Sequence, residues 1–236
     1  MQTINKKENQ IKFRAEISES LANAIRKYIN QIPVAAIDEL EISKNDSPLY
    51  DETIAHRMGL LPLKVKSKKP VTLKLVSKKE GSVYAKEITG DAEVVFGESP
   101  ITLLQKGQEL EISATTKIGK GVEHNKFAPG MMFYRNLFNI KLKGDCPKEV
   151  IKKCPMKIFQ EKNGKLVVEN EDLCDMCEAC VEECLKQGKK ESLEFIPTKE
   201  LEITLESFGQ LDLKDIFNGS IDALKKDLAE VGKRLK

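Results

Sequence analysis

Several residue types are scarce in this sequence. Its 236 residues include no tryptophan, two histidines and no cysteine before position 146, and aromatic residues make up 6%. Charged residues make up 32% of the chain, and no uncharged apolar run is long enough to span a bilayer. The first residues also lack the apolar segment of a signal peptide. We therefore expect a polar globular protein of one or two domains, cytoplasmic and without membrane contact.

The chain carries little net charge. Its 39 basic and 37 acidic residues give a formal charge of +2, so the composition does not favour a nucleic-acid-binding surface. The stretch from Glu169 to Glu183 contains seven acidic residues and no basic one, which would repel phosphate groups. We expect no direct recognition of nucleic-acid bases.

All six cysteines lie in one short window, from Cys146 to Cys184. A secreted protein held together by disulfides would distribute its bridges along the chain. The clustering instead indicates a local metal or redox site in a reducing compartment.

The last four cysteines, Cys174, Cys177, Cys180 and Cys184, have the C-x2-C-x2-C-x3-C spacing of bacterial ferredoxins. On a tight loop, three thiolates spaced three residues apart can each bind a different iron of one cluster. Zinc fits this spacing less well, because its sites usually combine two separate Cys or His pairs. A zinc-binding interaction module and a ferredoxin-type electron-transfer protein are the alternatives.

The position of proline indicates which cysteine completes the site. In two-cluster ferredoxins the fourth cysteine of such a run binds the other cluster and precedes a proline. Here Pro155 follows Cys154, whereas Leu185 follows Cys184, and the run that Cys154 would close has lost its other thiols. Cys184 is the alternative fourth ligand, or a partner for Cys146. We predict one iron-sulfur cluster, [4Fe-4S] or alternatively [3Fe-4S], bound by Cys154, Cys174, Cys177 and Cys180.

Regular patterns mark both ends of the chain. Apolar and charged residues alternate from Ile11 to Ile17, which predicts a strand with one buried face. Apolar residues at three- and four-residue steps from Leu21 to Ile32 predict an amphipathic helix ended by Pro33. A second strand is predicted over Val34 to Ile42, and Leu201 to Leu205 alternates like the first.

A long helix is predicted from Asp212, its N-cap, to Leu235. A stripe this long favours a partner helix, although packing against the chain's own core is the commoner explanation. Its apolar residues are Leu213, Ile216, Phe217, Ile221, Leu224, Leu228, Val231 and Leu235.

The region between these ends has two parts. Short strands such as Val71–Val76 and Leu110–Thr116 alternate with turns in the first part, and Asn163-Gly164 predicts a β-hairpin in the second. An insertion into a split outer domain would explain why similar strand and helix patterns stand at both ends. We predict an α+β protein with a split domain (1–45 and 194–236), an inserted mostly-β domain (46–143) and a ferredoxin-like iron-sulfur subdomain (144–193).

Three stretches carry a resemblance to a known family. The first is Asn23-Ala24-Ile25-Arg26 followed by Ile32 to Asp38. The second, Asn45 to Leu63, is the most specific, because Ala55-His56-Arg57 precedes Gly59-Leu60-Leu61-Pro62-Leu63 in it. The third is His124 to Pro129. With the C-terminal helix, they make the chain similar to the D-subunit family of archaeal RNA polymerases, the counterpart of the bacterial alpha subunit's assembly domain. Members with two ferredoxin runs can hold two clusters, and the six cysteines of this chain depart from that pattern.

The resemblance implies a scaffold subunit of DNA-directed RNA polymerase, a nucleotidyltransferase, with no catalytic residues in this chain. The split domain would be a dimerisation domain that pairs with the small L subunit, and the inserted part would contact the large subunits and other small subunits. The iron-sulfur cluster would be structural, since metal-binding free energy can act as folding free energy. His56 and His124 are interpreted as structural residues. The expected dimer interface comprises Leu213, Ile216, Phe217, Ile221, Leu224, Leu228, Ile25 and Ile29.

Overall fold

The computed structural model describes residues 2–67, 69–143, 146–189 and 191–235. Met1, Gly144 and Lys236, which bound predicted domains, lie outside these ranges. The strands are β1 (Gln2–Lys6), β2 (Gln10–Ala15), β3 (Pro33–Asn45), β4 (Leu63–Val65), β5 (Thr72–Ser77), β6 (Gly81–Tyr84), β7 (Thr89–Gly90), β8 (Ala92–Val94), β9 (Pro100–Leu104), β10 (Leu110–Lys120), β11 (Gly130–Leu142), β12 (Phe159–Lys162), β13 (Lys165–Val168) and β14 (Leu193–Ser207). The helices are α1 (Glu19–Tyr28), α2 (Asp51–Gly59), α3 (Val150–Lys153), α4 (Ala179–Lys186) and α5 (Leu213–Arg234).

The chain divides into two compact units. The cysteine unit contains Arg14–Ser18 and Tyr134–Glu202, and the large unit contains Thr3–Phe13, Glu19–Phe133 and the chain from Ile203 onward. Helices and antiparallel sheets are both present, which confirms the α+β class. The division into dimerisation, mostly-β and ferredoxin-like domains stays a prediction.

The core of the large unit is built on strand β10. This strand pairs antiparallel with β3 and β5 in a sheet ordered β3-β10-β5-β7. Ala114 lies opposite Leu40 on one side and Leu73 on the other. Because side chains alternate along a strand, Leu110, Ile112 and Ala114 of β10 enter one apolar core, which also contains Ile54 and Met58 of α2.

Helices α1 and α5 pack in the large unit. Tyr28 Oη donates to Asp227 Oδ2 at 2.9 Å, which joins the last turn of α1 to the second half of α5. The rings of Phe13 and Phe217 meet edge to face with centroids 5.8 Å apart, and Ile216 is fully buried. The first half of α5 therefore belongs to the chain's own core. No helix in the described part of the chain combines the length and apolar content needed to cross a membrane.

The cysteine unit contains the predicted hairpin. Asn163 and Gly164 have φ angles of 51° and 76° between β12 and β13, as the two-residue turn requires. The first strand of the hairpin, β12, starts at Phe159, whose side chain is buried. Helices α3 and α4 close a small apolar core formed by Ile140, Val150, Ile158, Phe159 and Leu193 with three cysteines.

The sequence patterns leave several elements unpredicted, among them β1, α2, α3 and α4. Helix α2 falls in a stretch interpreted as strands and turns. Its nine residues bury Ile54 and Met58, one helical turn apart, and two such positions give a weak periodic signal. Asp51 and Glu52 in its first turn favour the helix through its dipole.

Candidate functional site

The predicted cluster ligands come from three short segments of the cysteine unit. Cys154 caps the end of α3, Cys174 follows the 3₁₀ turn Glu171–Leu173, and Cys180 lies in the first turn of α4. Cys154 and Cys180 are buried, Cys174 is half-buried, and Cys177 is exposed in the loop between the latter two segments. The apolar core of the unit thus packs beside thiols from separate parts of the sequence.

The loop that carries Cys177 has an unusual backbone. Met176 and Glu178, on either side of it, have φ angles of 59° and 60°, a left-handed conformation that non-glycine residues seldom adopt. The Cys177 N–H donates to Asp175 Oδ1 at 3.2 Å and fixes the turn. Strained loops of this kind concentrate at functional sites, which makes the loop a candidate binding segment.

Charge effects connect the four predicted ligand thiols in pairs. The pKa of Cys180 is raised to about 11, chiefly by burial, with smaller contributions from the charges of Cys174 and Cys154. Burial also raises the pKa of Cys174, with added effects from Cys154 and Cys177. These effects link Cys154 with Cys174 and Cys180, and Cys174 with Cys177. That the four thiols bind one cluster stays a prediction. Since metals bind the thiolate form of cysteine, metal binding at these thiols would release protons.

Arg135 of β11 anchors the cysteine loop. Its Nε donates to Glu202 Oε1 at 2.6 Å, and Glu202 is 5% exposed. Its Nη1 donates to the Cys174 carbonyl at 2.8 Å, and its Nη2 donates to the Asp172 carbonyl. One guanidinium thus holds the backbone on both sides of Leu173 and fixes where Cys174 stands. Sequence reasoning missed this residue, because Arg135 belongs to no motif.

Two further contacts hold the same turn. Arg14 Nη2 forms an ion pair of 2.5 Å with Asp172 Oδ1, and this contact raises the pKa of Arg14. The backbone N–H of Ile140 donates to Glu171 Oε2 at 3.2 Å. The acidic residues around the cysteines, interpreted from sequence as a solvated surface that repels phosphate, therefore also tie the turn to β2 and β11.

All four predicted ligands are thiols, the donors that iron-sulfur clusters take. Among the described residues, no three His, Cys, Asp or Glu side chains converge closely enough to hold one metal ion. Zinc draws each thiolate to about 2.3 Å from one point, whereas the thiolates of an iron-sulfur cluster bind different irons and stand farther apart. Soft thiol donors also suit iron and sulfide.

The two remaining cysteines form a separate pair. Cys146 Sγ lies 3.7 Å from Cys184 Sγ, with Cys146 half-buried and Cys184 1% exposed. Burial, followed by the contact with Cys184, raises the pKa of Cys146 to about 12. The contact brings together the two cysteines that lie outside the predicted ligand set.

The predicted dimer surface is divided between core and solvent. Ile25, Ile29 and Ile216 are buried within the chain, so they support α1 and α5 from inside instead of facing a partner. Half-buried residues follow along the stripe, namely Leu213, Phe217, Ile221 and Leu224. The end of α5 is exposed: Leu228, Val231 and Leu235 are 62%, 55% and 82% accessible.

Both histidines line one cavity of about 220 Å³, together with Asp38 and Lys126. His124 Nδ1 accepts from the Lys126 N–H at 3.1 Å and caps the 3₁₀ turn Asn125–Phe127. Lys126 Nζ lies 2.6 Å from Asp38 Oδ1, and this ion pair lowers the pKa of Asp38. The capping contact gives His124 the structural role expected of it.

Comparison with known proteins finds relatives among DNA-directed RNA polymerase subunits. No family profile matches the chain. DNA-directed RNA polymerase subunit Rpo3 of Pyrococcus horikoshii is 36% identical over 56% of this chain and 57% of its own length. The Rpo3 subunit of Pyrococcus furiosus is 33% identical over 73% and 70%, and that of Archaeoglobus fulgidus is 28% identical over 99% and 96%.

These matches bear on the resemblance carried by the three sequence stretches. The chain spans just over half of the P. horikoshii relative but more than two thirds of the P. furiosus one. Identity above 30% across that share identifies a common family. The chain belongs to the family of DNA-directed RNA polymerase subunit Rpo3, the D-subunit family of archaea, as the sequence motifs predict.

Proposed function

We propose that the chain is a non-catalytic assembly subunit of a DNA-directed RNA polymerase. Membership of the Rpo3 family carries this proposal, since the relatives are named as subunits of that enzyme. The chain would serve a nucleotidyltransferase complex by binding other subunits. It would pair with the small L subunit, and the inserted part would bind the large subunits and other small subunits.

The end of α5 supports pairing with another chain. Leu228, Val231 and Leu235 recur at steps of three and four residues, so they share one helix face. All three are more than half exposed, while the same stripe is buried at Ile216. A stripe that leaves its own core and continues into solvent is suited to a helix of another subunit.

The partner experiment uses the full chain. Co-expression with the L subunit should give a stable heterodimer, measured by size-exclusion chromatography with light scattering. A chain that elutes as a stable monomer in the presence of a folded L subunit would overturn the proposed pairing. Adding the large subunits to the purified pair then tests assembly.

We also propose that Cys154, Cys174, Cys177 and Cys180 bind one iron-sulfur cluster. The charge effects of Cys154 on Cys174 and Cys180, and the apolar core beside these three thiols, support the assignment. When bound, the cluster would cross-link α3, the turn before Cys174 and α4, and so stabilise a unit with a small core. Anaerobic purification followed by iron and acid-labile sulfide analysis tests this directly. Zinc without sulfide would overturn it.

A second experiment distinguishes a structural role of the cluster from a role in electron transfer. A structural cluster predicts that Cys174→Ala weakens binding of the large subunits and leaves pairing with the L subunit intact, because α1 and α5 belong to the large unit. If this variant assembled normally but lost an electron-transfer activity, the ferredoxin-type alternative would be favoured.

A further inference from the structure

We propose that Cys146 and Cys184 form a reversible disulfide when the chain meets a small-molecule disulfide. Their sulfur atoms are 3.7 Å apart, and they are the two cysteines outside the proposed ligand set. The inference rests on this pair and holds whether or not the other four thiols bind a cluster.

The geometry requires a small movement. A disulfide bond is about 2.05 Å long, so the two sulfur atoms must approach by about 1.7 Å, which is within reach of side-chain rotation. Cys184 is held in place by α4, and its carbonyl accepts from the Lys189 N–H at 2.8 Å. Both cysteines pack against the same apolar core, which keeps them side by side.

Exposure assigns the order of the two steps. Cys146 is half-buried and Cys184 is 1% exposed, so Cys146 is the sulfur that a small molecule can reach. The Cys146 thiolate attacks one sulfur of the small disulfide, forms a mixed disulfide and expels one small thiol. Cys184 then attacks Cys146 Sγ and expels the second small thiol. The two protein thiols lose two electrons and two protons, and the small disulfide gains them.

The position of the pair gives the bond a consequence. Cys146 precedes all four proposed ligands in the sequence and Cys184 follows them. The disulfide would therefore close a loop that contains the whole ligand set. Closing a long loop restricts the unfolded chain and stabilises the folded one. The bond would hold the segment from Cys146 to Cys184 together when no cluster cross-links it.

The test uses the full chain, stripped of metal under anaerobic conditions, with oxidised glutathione as the probe. We expect the intact mass to fall by two hydrogens and the count of free thiols to fall from six to four. Non-reducing digestion should yield one peptide pair linked through Cys146 and Cys184, and dithiothreitol should reverse the change. The thermal unfolding midpoint should rise on oxidation and return on reduction.

Variants separate this bond from others. Cys146→Ala and Cys184→Ala should each abolish the linked peptide pair and the rise in the unfolding midpoint. The double variant Cys174→Ala with Cys177→Ala, which removes two of the other four thiols, should retain both. If the Cys184→Ala variant does not fold, the Cys146→Ala variant still tests the proposal, because Cys146 is only half-buried. Linkage through any other pair, or six alkylated thiols after oxidation, would overturn the proposal.

Discussion

Arg135 Nε lies 2.6 Å from Glu202 Oε1, and the same guanidinium donates to the carbonyl of Cys174. Glu202 is buried, so its carboxylate requires charge neutralisation where it stands. The ion pair therefore fixes the arginine, and the arginine in turn fixes the backbone of a proposed ligand. Two strands of the cysteine unit thus position a loop that has little regular structure of its own.

Replacing Arg135 by Met should destabilise the cysteine unit, because it leaves the buried carboxylate of Glu202 without its partner. We expect a loss of about 3 kcal/mol. This is the low end of the range for breaking a buried ion pair, since the arginine side chain is itself 35% exposed. Urea denaturation measures the change. Iron retention should also fall, since the Cys174 backbone loses its anchor.

The exposed pair Lys86–Glu98 supplies the control. Its side chains are 54% and 77% accessible, so Lys86→Met should change stability by less than about 1 kcal/mol. Equal effects of the two substitutions would show that the position of Arg135 has no special importance.

Leu228→Asp should abolish pairing with the L subunit while leaving the isolated chain folded. Leu228 is 62% exposed in the chain, so an aspartate there remains solvated until a partner covers it. Ala229→Asp is the matched control, because it adds the same charge at the next exposed position, on a different face of α5. Dissociation constants from titration calorimetry compare the two variants, and equal values would place the interface elsewhere.

The sequence predicts the regular parts of this molecule well, because their signals are local. Asn163-Gly164 sets a hairpin through its own backbone angles, and three-residue spacing places Cys174, Cys177 and Cys180 together. Arg135 could not be found in this way, since its contacts with Asp172 and Cys174 join residues 37 and 39 positions apart. Tertiary packing of the turn Glu171–Leu173 near β11, and not a local pattern, creates these contacts.

The stripe on α5 illustrates a second limit. Ile221 and Leu228 lie seven residues apart on one face of the helix, yet Ile221 is half-buried and Leu228 is 62% exposed. Periodicity reports which side of a helix is apolar, and it cannot report how far along the helix the chain's own core extends. The length of the supporting sheet and α1 decides where burial ends.

The metal-free chain should lose stability as the pH rises above about 9. Burial raises the pKa of Cys146 from 9.0 to about 12, so the folded state keeps a neutral thiol where the unfolded chain ionises. This contribution is fully present below pH 9 and is lost between pH 9 and pH 12. Unfolding midpoints by circular dichroism across this range measure it, and Cys146→Ala should flatten the profile. An unchanged slope in that variant would assign the effect to other groups, such as Cys180.

The identity of the fourth ligand can be decided by two alanine substitutions. Cys154 and Cys184 are both buried, at 8% and 1% exposure, so each substitution removes a buried thiol and leaves a comparable gap in the same apolar core. The charge of Cys154 acts on both Cys174 and Cys180, whereas Cys184 lies against Cys146. Cys154→Ala should therefore lose most of its iron and sulfide after anaerobic purification, and Cys184→Ala should retain them. The opposite result would make Cys184 the fourth ligand and would leave Cys146 without the sulfur it needs for a disulfide in the loaded protein.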